Sequence, residues 1–143
     1  MVHVMSKTNC LWGTERSLLI GVSAICYVAP AVLDAIDGRP RLFVWLLQAL
    51  ACFWSDYIDS GRYGFSHCFD KILAFTLTIH VAGIALKNGG LLYAITIAIP
   101  TFGCYGLSTA ARKAGNRDRY ALFHSLWHLC GAIVTVATLN LAR

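Results

Sequence analysis

Apolar runs close to 20 residues long, separated by short polar turns, recur along most of this chain, and that spacing restricts it to a helical membrane fold. The hydrocarbon core of a bilayer is about 30 Å thick, a distance that a helix of about 20 apolar residues crosses. Runs of this kind occupy residues 17–36, 41–59, 69–86, 91–110 and 119–142. The first is closed by Asp37-Gly38-Arg39-Pro40 and the third by Lys87-Asn88-Gly89-Gly90, both strong turn sequences. Pro100 is placed to kink the fourth. No run alternates with the period of a strand. Backbone groups in lipid must be paired within their own segment, so the expected fold is all-α, a polytopic transmembrane helical bundle of about five spans. The whole chain, residues 1–143, reads as a single membrane domain.

Composition agrees. The chain is 57% apolar and 13% charged, whereas water-soluble domains are about a quarter charged. The opening MVHVMSKTNC has no apolar stretch of the kind a cleavable leader needs, so none is expected. A net charge of +5 raises the question of nucleic acid, but the basic residues fall between the apolar runs and form no aromatic-interleaved patch, so none is expected as a partner. With five spans, the N-terminal side collects Lys7, Arg16, Arg62, Lys71, Arg112, Lys113, Arg117 and Arg119, and the other side Arg39, Arg41, Lys87 and Arg143. The positive-inside rule then places the N-terminus of this integral multi-pass protein in the cytosol, in an unspecified organelle. Six cysteines form no CxxC pair, and Cys26, Cys52, Cys104 and Cys130 lie inside apolar runs, which favours small buried hydrophobes over a disulfide or metal framework.

Ionisable residues at membrane depth are costly and mark function. The second run ends with Ser55 and Asp59, four apart and so on one helical face; the third begins with His67 and Asp70; the last carries His124 and His128, again four apart. The second run ends at the membrane face where the third and fifth begin, so topology alone gathers Ser55, Asp59, Asp70, His124 and His128 at one face. Two histidines at i and i+4 chelate a divalent ion, with a carboxylate from a neighbouring helix as third ligand and water as fourth. Zinc held in this way brings the pKa of its water to about 7. An unligated carboxylate then serves as general base and a serine hydroxyl as donor to a developing oxyanion. Taken singly, each residue also has a plain structural role: the histidines snorkel or bond carbonyls, the aspartates are solvated at the interface, Ser55 packs between helices, and His67 sits in a loop.

This set resembles the signature of the CREST superfamily, which includes alkaline ceramidases, progestin and adipoQ receptors and Per-like lipid-remodelling proteins. Its pattern is SxxxH late in the second span, an aspartate early in the third, and HxxxH early in the last. FHSLWHL is similar to the last motif, Ser55 matches the serine, and Asp70 falls at the third-span aspartate. The resemblance implies a membrane-embedded, zinc-dependent hydrolase of a lipid amide or ester, ceramidase-like. In it His124, His128 and Asp59 hold Zn2+, Asp70 acts as base or orients water, and Ser55 assists the oxyanion. Asp59 stands where the family has histidine, and the family has seven spans, so a homodimer is implied where one copy leaves the substrate cavity incomplete. The acidic N-terminal stretch of alkaline ceramidases has no counterpart.

Two other classes remain open. His80, mid-way along the third run, pairs with His128 or His124 to ligate a haem, which would make this an electron-transfer protein. Pro30, Pro100, Gly103 and Gly106 suit the broken or closely packed helices of a receptor- or channel-like bundle with a structural metal site.

Overall fold

The computed structural model describes residues 15–62 and 64–143. The expectations for MVHVMSKTNC and Lys7 lie outside these residues. Every element is helical: α1 (Leu18–Ala24) runs through a 3-10 turn (Ile25–Tyr27) into α2 (Val28–Ile36), and α3 (Leu42–Phe53) ends in a π-helical turn (Trp54–Ile58). α4 (Phe65–Lys113) and α5 (Arg117–Leu141) complete the chain. Three helical stretches are long and apolar enough to cross a membrane, Leu18–Ile36, Phe65–Lys113 and Arg117–Leu141, and Leu42–Ile58 is a shorter apolar helix.

α4 is not one rod. Its 49 residues contain a non-helical position at Gly90, with φ 75° and ψ 179°, a region essentially closed to residues with a Cβ. The backbone stays helical through Pro100, so the expected kink is displaced to the glycine. Asp70, in the limb before the break, meets Gln48 of α3, while Ser108, in the limb after it, meets His124 of α5. Residues so far apart on a straight helix would be separated by about 57 Å. The two limbs therefore fold back on one another at Gly90, and their distal ends return to the same end of the bundle.

The burial pattern is inverted relative to a soluble protein. Leu18, Phe43, Leu50, Trp54, Phe65, Ile72 and Phe102 are exposed, whereas Asp34, Gln48, Ser55, Asp70, His128 and Thr138 are buried. An apolar exterior around a polar interior is stable where the surroundings are hydrocarbon. A cluster of Ala31, Trp45, Leu77, Val81 and Leu139 fills the centre. Gly21 lets the Tyr57 ring close on α1, since a Cβ there would sit 2.7 Å from its Cδ2.

Charged residues separate to the two ends. At one end Asp34, fully buried, accepts from Trp45 Nε1 at 2.9 Å and from Arg41 Nη2 at 3.0 Å, and Arg143 pairs with Asp37 at 2.8 Å. His80 belongs to this end, 3.3 Å from Arg41 Nη1. Asp34 is fully buried while Arg41 keeps part of its surface exposed, and their contact ties the α2–α3 corner together. The other end holds the remaining polar cluster.

Candidate metal centre

Gln48, Cys52 and Asp56 recur every four residues and so lie along one face of the helix, and Gln48 and Cys52 are buried on it. Just past Cys52 the winding loosens: the Asp59 amide donates to the Trp54 carbonyl five residues back at 2.8 Å. A π turn of this kind changes which residues share a face. Asp56 stays with the inward stripe. Asp59 is carried to the start of α4, where its Oδ2 accepts from Ser66 Oγ at 2.6 Å.

The carboxylate beside the imidazole pair is therefore Asp56, three residues before the expected Asp59. His124 Nε2 lies 3.1 Å and His128 Nε2 3.3 Å from the same atom, Asp56 Oδ2. The rings of the two histidines pack edge to face with centroids 4.7 Å apart. Cys52 Sγ joins Asp56 and His128: one ligand atom from each of these three lies within 4.8 Å of the others, a grouping that does not include His124. Cys52 is buried, as its apolar neighbours imply, and its Sγ also donates to Asp70.

Hydrogen bonding fixes the Nδ1 proton of His128. Ser23 Oγ donates to the Ile20 carbonyl at 2.9 Å and stands 3.0 Å from His128 Nδ1. With its single proton given to the carbonyl, the hydroxyl accepts from Nδ1–H. With Nδ1 protonated, Nε2 faces the Asp56 carboxylate either as a lone pair or as an N–H. It is 3.3 Å from Oδ2, near enough for an ionic contact, but without the alignment of a hydrogen bond, and it is buried with no other partner. A cation shared between that nitrogen and the carboxylate, either a proton on Nε2 or a metal ion, satisfies the contact. His124 repeats the plan, with Ser108 Oγ 3.3 Å from its Nδ1. Each imidazole thus has a hydroxyl behind its Nδ1, and an outer hydrogen bond of this kind orients a histidine ring. The donor set of nitrogen, oxygen and sulfur fits zinc.

Replacing Ser23 by Ala frees the His128 ring, and zinc affinity is expected to fall about 10- to 100-fold. Competition against a fluorescent chelator measures this, and unchanged affinity would show that the tautomer is set elsewhere.

The other expected residues are placed as follows. Ser55, 3% exposed, donates to Asp56 Oδ1 at 3.2 Å, and its Oγ is 3.4 Å from His67 Nδ1. His67 is helical, in the first turn of α4, not in a loop. Asp70, 5% exposed, accepts from Gln48 Nε2 and Cys52 Sγ at 2.9 Å each, both on Oδ1. His80 bonds Arg41 at the far end of the bundle, so its expected pairing with His124 or His128 is not formed.

Neither a family model, nor a curated protein, nor a solved structure matches the chain. The site therefore has to be read from its own chemistry.

Two cavities meet here. A polar pocket of about 350 Å³ is lined by Ser55, Asp56, His67, Asp70 and His124 among others. An apolar cavity of about 350 Å³ runs between α3, both limbs of α4 and α5, past Phe75, Val81, Ile97 and Val134. Asp70, Lys71, Tyr105 and Trp127 line both and form the wall they share.

Proposed function

We propose that this chain is a membrane-embedded, zinc-dependent hydrolase that cleaves an amide or ester bond in a lipid. The observation that carries the reading is the convergence of two imidazole Nε2 atoms on Asp56 Oδ2, one of them buried without a hydrogen-bond partner, beside a polar pocket that shares a wall with an apolar one. A bilayer lipid is itself polar at one end and apolar at the other, and a scissile carbonyl lies between the two.

His124, His128 and Asp56 hold the ion in this reading, with Cys52 adjoining. Zinc bound there supplies Lewis acidity and water activated near neutral pH. The chain's own groups do the rest. Ser55 Oγ–H holds Asp56 Oδ1, and Ser23 and Ser108 hold the imidazoles. Gln48 and Cys52 anchor Asp70 through Oδ1, which leaves Oδ2 to take up a proton at the pocket wall. The apolar cavity receives the acyl chain and keeps water away from it. The membrane arrangement that goes with this reading has five spans, because Gly90 divides Phe65–Lys113 into two limbs and Leu42–Ile58 adds a short one. The site then lies at the face that collects Arg62, Lys71 and Arg112, the cytosolic one by the positive-inside rule.

Purified protein loaded with zinc is expected to release fatty acid from a ceramide or from a lysophospholipid ester in mixed micelles, and His128→Ala to lose both zinc and release. Fully zinc-loaded wild type that cleaves neither class would leave a structural metal site in place of an enzyme.

A further inference from the structure

The same pocket carries a feature that hydrolysis by itself does not require. Arg62, Lys71 and Arg112 line it, and none has a carboxylate partner among the described residues. Nearby cations are treated differently: Arg117 pairs with Glu15 at 2.9 Å, and Arg16 donates to the Ile58 carbonyl at 3.3 Å. The two carboxylates in the pocket are already engaged, Asp56 by the two imidazoles and Asp70 by Gln48 and Cys52. Arg112 lies in the last turn of α4, where the helix dipole favours a cation. Lys71 has no such reason, since it lies in the second turn from the positive end of the same helix. Orientation by positive charge accounts for cations at this membrane face but not for three of them lining one pocket.

From this we infer that the polar pocket binds the phosphate of an anionic amphiphile whose acyl chain lies in the adjoining apolar cavity. The inference deepens the hydrolase reading by naming the headgroup, and it rests on that reading only for the fate of the bound lipid. Arg62 and Arg112, which line the pocket, carry planar guanidinium groups of the kind that pair with phosphate oxygens, and Lys71 adds a point charge at the shared wall. Lys71 lines both chambers, so it sits where a headgroup joins its chain.

The test is binding, in chelator-treated protein, so that it does not depend on catalysis. Trp127 lines both chambers and reports occupancy by its fluorescence. Three probes are titrated: 1-oleoyl-lysophosphatidate, neutral monoolein with the same chain, and inorganic phosphate. The phosphate lipid is expected to bind at least about tenfold tighter than monoolein, as one or two charge-assisted contacts provide. Arg112→Gln and Lys71→Gln should each erode that preference, and Arg112→Lys should restore part of it while confirming that the fold is intact. Equal binding of the two lipids overturns the inference, as does a preference that survives both glutamine variants. Inorganic phosphate displacing the lipid at equal concentration also overturns it, in favour of a free anion. Loss of turnover with this binding pattern intact would count against the hydrolase reading alone.

Discussion

Asp56→Asn is expected to strip the protein of zinc, and Asp59→Asn to leave the metal in place. An amide at position 56 keeps the shape of the side chain but removes the anion that both Nε2 atoms face at 3.1 and 3.3 Å. The loss should exceed the roughly 10- to 100-fold that outer partners of a ligand contribute, because a ligand atom itself is removed. Asp59 is bound to Ser66 Oγ, so its amide variant weakens the start of α4 without touching the imidazoles. Zinc per chain, measured by elemental analysis after gel filtration, distinguishes the two. Metal retained in Asp56→Asn and lost in Asp59→Asn would reverse the assignment made from the π turn.

Asp70→Asn should give the opposite split, with normal zinc and almost no turnover. The Asn Oδ1 still accepts from Gln48 Nε2 and Cys52 Sγ, so the side chain keeps its place. The position of Oδ2 passes to an NH2 group, which cannot take a proton. General base catalysis contributes about 10²- to 10⁴-fold, and kcat is expected to fall within that range at unchanged metal content. A variant that turns over at the wild-type rate would reduce Asp70 to a structural acceptor for α3.

The helical class was legible because lipid leaves so few alternatives for runs like LFVWLLQALACFW. Grouping the polar residues at one end needed only the direction in which each run crosses, and the structure does bring Ser55, Asp70, His124 and His128 around shared pockets or bonds. The carboxylate was missed for a local reason. Pairing Ser55 with Asp59 assumes regular α-helical winding to the end of α3, and that winding fails at Trp54–Ile58. A signal was nonetheless present: Gln48, Cys52 and Asp56 form a polar stripe at four-residue spacing through an apolar run, and such a stripe faces inward in lipid. Asp34 was passed over because one carboxylate near a turn looks solvated until Trp45 and Arg41 are seen to close on it. His80 looked like a haem ligand for want of a visible partner, and Arg41, 39 positions away, only becomes one through the packing of α3 on α4.

The wall shared by the two chambers has a consequence for how a reaction there would end. Scission beside Asp70, Lys71, Tyr105 and Trp127 separates a water-seeking fragment from an oil-seeking one. Each fragment would already sit in the compartment that leads to its own preferred medium. The headgroup fragment would then be left in the polar pocket and the chain fragment in the apolar cavity, each already separated from the other by the shared wall.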